Sequence, residues 1–296
     1  MNVEAGMKAY LTVNRETPIG YMLAEGEEEI LLHKNETTRE LAEGEEVEVF
    51  LYLDQHDRLT ATMHLPLVEE GVYEWVEVVD VNPGLGVFVN IGMNKDMLIG
   101  STDLPALEDL WPEVGNKVYC TMKISKRGKM YGKIATDDVM KAMALDAPPE
   151  LFNREVRGYI YRVLRVGSFI MTDEGYVGFI HESERRKEPK LGTYVTGRVI
   201  NVKEDGTLNV SLLPRKQESM DEDAQVLYDY MESRGGVMPF WDKSYPEDIR
   251  ERFNMSKAAF KRALGKLMKE GKVYQEEGWT YFKKEKMIII TYPLTA

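Results

Sequence analysis

The sequence predicts a multidomain, mainly β chain: three small barrels in tandem, then a C-terminal α+β domain. Three observations carry this expectation. A plan of roughly 60 to 65 residues recurs three times. Apolar residues alternate with period two up to about residue 212 and with period 3.6 from Asp221 onward. At 296 residues, 43% hydrophobic and 30% charged, the chain is ordinary for a globular protein but too long for one core.

The shared plan is a strand, a glycine-containing bend with an aromatic, an apolar strand, a variable connection and a "Gly-x-x-Val" strand. The first copy, residues 1–68, is the most diverged: residues 17–23, 30–33 and 43–47 follow the plan, and a turn at residues 55–59 closes it. The second copy, residues 69–136, has Val76 to Val79 as its first strand. Its second is Gly84-Leu85-Gly86-Val87-Phe88-Val89-Asn90-Ile91-Gly92. Leu98-Ile99-Gly100 follows, and residues 125–130 form the closing hairpin. Residues 137–152 read as a helical linker ending in Ala147-Pro148-Pro149, with Asp137 and Asp138 on a solvated face.

The third copy, residues 153–217, is the clearest. Val156-Arg157-Gly158-Tyr159-Ile160-Tyr161-Arg162-Val163 is a strand carrying a glycine, as one bent at a barrel corner would. Val166-Gly167-Ser168-Phe169-Ile170-Met171 and Gly175-Tyr176-Val177-Gly178-Phe179-Ile180-His181 are the next two. Residues 191–202 and 208–212 flank Glu204-Asp205-Gly206, a hairpin turn. Five short strands joined in this way are the layout of an OB barrel. The domains are expected to string as beads with limited interfaces.

In residues 221–283, Val226, Leu227, Tyr230 and Met231 share one helical face, and Gly235-Gly236 end that helix. A short strand follows at residues 237–240. Pro246 opens a second helix, and Ser256 caps a third with inner stripe Phe260, Ala263, Leu264 and Leu267. A hairpin around Glu276-Glu277-Gly278 completes the order of a winged helix. The apolar run Met287 to Tyr292 lies in a tail, residues 284–296.

The net charge of −12 is unevenly spread. Residues 1–69 hold 5 Lys+Arg against 15 Asp+Glu, and residues 70–150 hold 8 against 13. Residues 151–220 hold 12 against 9, and 221–296 hold 13 against 13. Phosphate attraction follows the local field, so the acidic total does not exclude nucleic acid. The lone Cys120 rules out an intramolecular disulfide and fits a reducing, cytoplasmic compartment. No apolar run reaches membrane-spanning length and no signal peptide is apparent, so no membrane role is expected.

Four histidines and one cysteine make no zinc set, and Gly84-x-Gly86 is a bend rather than a dinucleotide site. Nothing points to a cofactor or to chemistry, so no enzyme activity is expected.

The third copy, with Gly-Ser-Phe, Gly-Phe-Ile-His-Glu-Ser and Leu-Gly-Thr-Tyr-Val-Thr-Gly-Arg-Val, resembles the S1 domain, the RNA-binding OB barrel of ribosomal protein S1. The helix Met255-Ser256-Lys257-Ala258-Ala259-Phe260-Lys261-Arg262 is similar to a winged-helix signature. The whole chain, residues 7 to 283, resembles the bacterial conserved virulence factor B (YitL-like) family, with tandem S1-like domains before a winged helix. That resemblance implies three tandem S1-like OB-fold barrels followed by a winged-helix domain. It also implies RNA binding and control of gene expression, without a known catalytic activity.

The S1 binding face implies candidate nucleic-acid contacts at Phe169, Phe179 and His181, with Tyr159 and Lys203 at places that carry polar or basic contacts in other S1 domains. Phe88 matches the aromatic in the second copy, where Gly100 replaces the histidine. Tyr21 and His33 match in the first, within the acidic run Glu25, Glu27, Glu28, Glu29. A barrel phenylalanine is ordinarily core and a lone histidine ordinarily a surface cap; the S1 pattern is what argues for binding. Lys257, Lys261, Arg262 and Lys266 on the third helix complete the candidates, a solvated basic face being the plainer reading. The expected partner is single-stranded RNA. Rival readings are a protein adaptor on the ribosome or polymerase, and a duplex-DNA regulator led by the winged helix.

Overall fold

A computed structural model describes residues 3–26, 28–214 and 216–283, with the backbone alone for residues 25 and 216–220. Glu27 of the acidic run and the apolar tail at 287–292 lie outside the described residues. The chain divides into two compact units, Met1–Leu213 and Pro214–Ala296.

The first unit contains three closed five-strand barrels. Barrel one is built from β1 (Lys8–Thr17), β2 (Gly20–Glu25), β3 (Glu28–His33), β4 (Glu46–Leu53) and β5 (Leu59–Thr62). Barrel two comprises β6 (Tyr73–Asn82), β7 (Gly86–Asn90), β8 (Met97–Gly100), β9 (Lys117–Ile124) and β10 (Met130–Ile134). Barrel three comprises β11 (Glu155–Leu164), β12 (Gly167–Thr172), β13 (Val177–His181), β14 (Tyr194–Val202) and β15 (Leu208–Ser211). In each, the third strand pairs in parallel with the fifth, which closes the OB barrel.

Two local devices recur. The first strand of each barrel is bulged, between Val13 and Arg15, Val78 and Asp80, and Ile160 and Arg162. A bulge re-aims side chains on one strand while pairing continues. The second strand of each barrel starts on glycine because the third strand's backbone passes too close for a Cβ. One at Gly20, Gly86 or Gly167 would strike the carbonyl oxygen of Leu32, Ile99 or Ile180.

The three barrels do not hang as beads with limited interfaces. β4 faces two cores: Val47, Val49 and Leu51 fill barrel one, while Phe50 and Tyr52 are buried in the apolar cluster of barrel two. That same cluster takes Leu191 from barrel three. Lys117 N–H donates to Gly192 O at 3.1 Å and Leu191 N–H to Leu110 O at 3.0 Å. Lys190 pairs with Glu113 at 2.7 Å. The linker is bound down too. Its helix α1 (Asp137–Met143) buries Met140, and Ala147 N–H donates to Gly206 O at 3.0 Å. Asp137 pairs with Arg162 of β11 rather than facing solvent. A partly buried guanidinium is a better partner than water for a carboxylate held at this junction.

Cys120 is fully buried on β9, and burial alone pushes its thiol up to about 12. A protonated, occluded thiol is a poor nucleophile. At pH 8 the native protein is expected to leave a thiol reagent such as DTNB unreacted, with one equivalent released on unfolding. Fast native-state labelling would contradict this burial.

The second unit contains α2 (Lys216–Ser233), β16 (Val237–Met238), α3 (Pro246–Phe253), α4 (Lys257–Lys269), β17 (Val273–Glu276) and β18 (Trp279–Phe282). Its sheet order β16-β18-β17 completes a winged helix. Phe260, Ala263, Leu264 and Leu267 of α4 pack on Leu227 and Met231 of α2 and Ile249 of α3. The Ser256 hydroxyl caps α4 by accepting from Ala259 N–H at 3.2 Å. Val226, expected on the inner face, is exposed; Ala224 is buried in the core with Leu227 and Met231. The helix turns about 100° per residue, which carries position 226 off the stripe that holds 224, 227 and 231.

Candidate nucleic-acid interface

Strand register fixes which outward side chains are neighbours. On barrel three Phe169 of β12 stands opposite Phe179 of β13, and the bulge brings Arg162 of β11 opposite Phe169. The two rings lie 5.0 Å apart, and the Arg162 guanidinium carbon is 6.0 Å from the Phe169 ring. Both phenylalanines are half-buried, because Ile170 and Ile180 beside them point into the barrel. Phe169 also leans on Tyr161, ring to ring at 5.9 Å.

His181, exposed at the end of β13, closes the row 6.2 Å from Phe179. Its Nδ1 accepts from Ser183 N–H at 3.2 Å and meets Ser183 Oγ at 2.8 Å. The histidine therefore caps the short 3-10 turn after the strand, and Nε2 is the nitrogen left for another partner. His33 caps the equivalent turn of barrel one, accepting from Asn35 N–H at 3.1 Å.

The same register locates the counterparts of this row. In barrel two the equivalent places hold Asp80, Phe88, Leu98 and Gly100, so the half-buried Phe88 faces a carboxylate-bearing position. In barrel one they hold Arg15, Met22, Leu31 and His33, and Arg15 pairs with Glu29 at 2.6 Å. Tyr21, matched to the aromatic from sequence, is instead buried in the barrel core, its hydroxyl accepting from Leu41 N–H at 3.3 Å. It is one residue out of phase with Phe169, and one residue in a strand is one face of the sheet.

Tyr159 stands apart from the Phe169 row. Its ring neighbours are Trp75 at 5.0 Å and Tyr194 at 4.9 Å. Trp75 continues to Tyr119 at 5.2 Å and Tyr119 to Tyr73 at 5.7 Å, so five rings run from barrel two to barrel three. Lys203 is exposed in the β14–β15 hairpin, where its backbone N–H donates to Thr207 O at 2.8 Å.

On the winged helix, Lys261 and Arg262 are exposed on the outer side of α4 and Lys257 is partly exposed at its first turn. Lys266 is turned inward: it pairs with Asp221 of α2 and with Glu270 at 3.5 Å. Its charge is largely met within the domain. Two neighbours of the Phe169 row escape sequence reasoning: Arg162, and Asn209, which stands beside Phe179 on β15. No one-dimensional signal marks either, since a bulge and a parallel pairing place them.

Comparison with known proteins locates this arrangement. Residues 5–64 match the S1 domain family, residues 73–133 the CvfB first S1-like domain, and residues 225–282 the CvfB-like winged helix domain. Residues 140–214 match "Virulence regulatory factor CvfB, second domain". The chain is 53% identical over 283 residues to the uncharacterized protein YitL of Bacillus subtilis (strain 168), covering 96% of this chain and 95% of that one. The chain belongs to the CvfB family. Conserved virulence factor B of Staphylococcus epidermidis is 39% identical over 236 residues, 79% of each chain.

A crystal structure from Streptococcus pneumoniae TIGR4 is described as a multidomain protein with nucleic acid binding domains. It superposes with a TM-score of 0.64 at 34% identity, covering 94% of this chain and 98% of that one. Within the CvfB frame, the Phe169 row lies in the family's second domain and α4 in its winged helix.

Proposed function

We propose that this protein binds single-stranded RNA without catalysing a reaction, chiefly through barrel three and the basic side of α4. The observation that carries the reading is the composition of the equivalent rows. Barrel three sets two aromatics, an arginine paired with Asp137 and a histidine side by side. Barrel two substitutes an acid and a glycine, and barrel one lacks the aromatics. Unpaired bases stack on exposed rings while cations follow the phosphates. In this reading the protein is a cytoplasmic, post-transcriptional regulator of gene expression.

Filter binding of poly-pyrimidine RNA in rising salt tests it. For single strands, log K is expected to fall against log salt by about 0.7 per phosphate neutralised. Lys261→Ala with Arg262→Ala is expected to reduce that slope by about 0.7 for each phosphate that no longer meets a cation, with little change in base preference. Absent or salt-independent binding overturns the proposal. Preference for duplex DNA over the single strand would favour the winged helix as a duplex reader, against which the acidic wing tip, Glu276 and Glu277, already argues.

A further inference from the structure

A cleft of about 480 Å³ opens beside the Phe169 row, between β10, the start of the linker and β11. Its size falls in the range of small-molecule sites, roughly 300–1,000 Å³. Leu104, Pro105 and Leu191 supply apolar walls, and Lys133, Asp137, Tyr161 and Arg162 are among the polar groups, with Asp103 and Asp138 beside them.

Two of these groups are left over by the fold. Tyr161 is 5% exposed, and its buried hydroxyl has no hydrogen-bond partner among the described residues. Asp137 meets Arg162 through Oδ2, while its equally buried Oδ1 has no partner there either. Buried polar atoms are ordinarily paired, so two orphans in one cleft ask for an occupant. The Tyr161 hydroxyl, which burial pushes up to about 12, carries its proton at neutral pH as any tyrosine does and is a donor there.

The chemistry of the lining selects the occupant. Asp103, Asp137 and Asp138 outnumber Lys133 and Arg162, so the cleft is a poor anion site. A flat neutral ring with an N–H donor beside an acceptor suits it better. Such rings are close at hand if the RNA reading holds, on which this inference rests. Tyr161 and Arg162 line the cleft and also flank Phe169, at 5.9 and 6.0 Å.

We propose that the cleft takes one splayed-out base of the strand that stacks on Phe169, and that it favours cytosine or adenine over uracil. Both carry an exocyclic amino group next to a bare ring nitrogen. The amino N–H donates to Asp137 Oδ1 and the ring nitrogen accepts from the Tyr161 hydroxyl. Seated in the same position, uracil presents the reverse order, a carbonyl beside a ring N–H, and leaves the carboxylate oxygen facing an acceptor. Sites built around buried hydrogen-bonding groups reject mismatched analogues strongly.

The test is anisotropy of labelled C12, A12 and U12 RNA on the full chain at one salt concentration, with Tyr161→Phe and Asp137→Asn as variants. C12 is expected to bind about tenfold tighter than U12, the effect of one buried group paired or unpaired. Tyr161→Phe is expected to erase most of that preference with no loss of melting temperature, since the hydroxyl it removes has no partner among the described residues of the free protein. Asp137→Asn, which exchanges an acceptor for a donor, is expected to shift preference toward U12. Equal affinity for C12 and U12, or a preference that survives Tyr161→Phe, overturns the cleft and leaves RNA binding standing. Failure of all three strands to bind removes the RNA reading itself.

Discussion

Replacing Phe169 and His181 together by alanine is expected to weaken single-stranded RNA binding by more than tenfold. Each stacked base contributes about 1–3 kcal/mol, and about 1.4 kcal/mol is tenfold in affinity. Both side chains also serve the fold: Phe169 packs beside Met171 and Val177, and His181 caps a turn through Nδ1. The double variant Phe169→Leu with His181→Asn separates the two roles. Leucine keeps the apolar contact without a π face, and asparagine keeps a capping acceptor without an imidazole. Equal melting temperature with a tenfold loss of affinity places the effect on binding. Phe88→Ala is the internal comparison and is expected to change affinity less, because Asp80 stands opposite that ring and Gly100 fills the histidine's place. Unchanged affinity in the Leu/Asn variant would return Phe169 and His181 to purely structural roles.

The order of strands is legible in the sequence because each barrel writes itself locally. Gly20, Gly86 and Gly167 are each required by a close backbone approach, and each stands at the head of its barrel's second strand. The winged helix is legible for the same reason: Ser256 and the Phe260-Ala263-Leu264-Leu267 stripe are local signals. What does not show is anything carried between elements. Arg162 reaches Phe169 only because a bulge displaces the register by one residue. Lys266 looks like its neighbours on α4 until α2 brings Asp221 to it. Tyr159 matches an S1 contact by position, yet its surroundings are set by Trp75, far away in the chain on β6. Tyr21 is misplaced by a single residue, the smallest error that reverses a strand's faces.

The contact between barrels has a signal of its own. Val49-Phe50-Leu51-Tyr52-Leu53 is an uninterrupted apolar run, whereas a strand with one wet face alternates. Both faces of the second half of β4, from Val49 to Tyr52, are accordingly dry, with Phe50 at 0% exposure inside the cluster of barrel two. Polar links reinforce the seam. Lys95 Nζ donates to Leu53 O at 2.9 Å and lies 5.5 Å from the Tyr52 ring, and Asn94 Nδ2 donates to Asn35 O at 2.8 Å.

Phe50→Ala is therefore expected to cost about 3–5 kcal/mol, the range for emptying a well-packed aromatic site. Against a usual total of about 5–15 kcal/mol that is a large fraction. Urea unfolding gives the magnitude, and amide exchange gives the more telling result. If barrels one and two unfold as one body, β6 to β10 lose protection together with β1 to β5. Exchange that accelerates only within barrel one would mean the seam is adhesive but not cooperative. The distinction bears on function, because a fused acidic first barrel holds its charge at a set distance from the Phe169 row. A phosphate chain approaching barrel three would then be turned away from barrel one by the same rigid body that receives it.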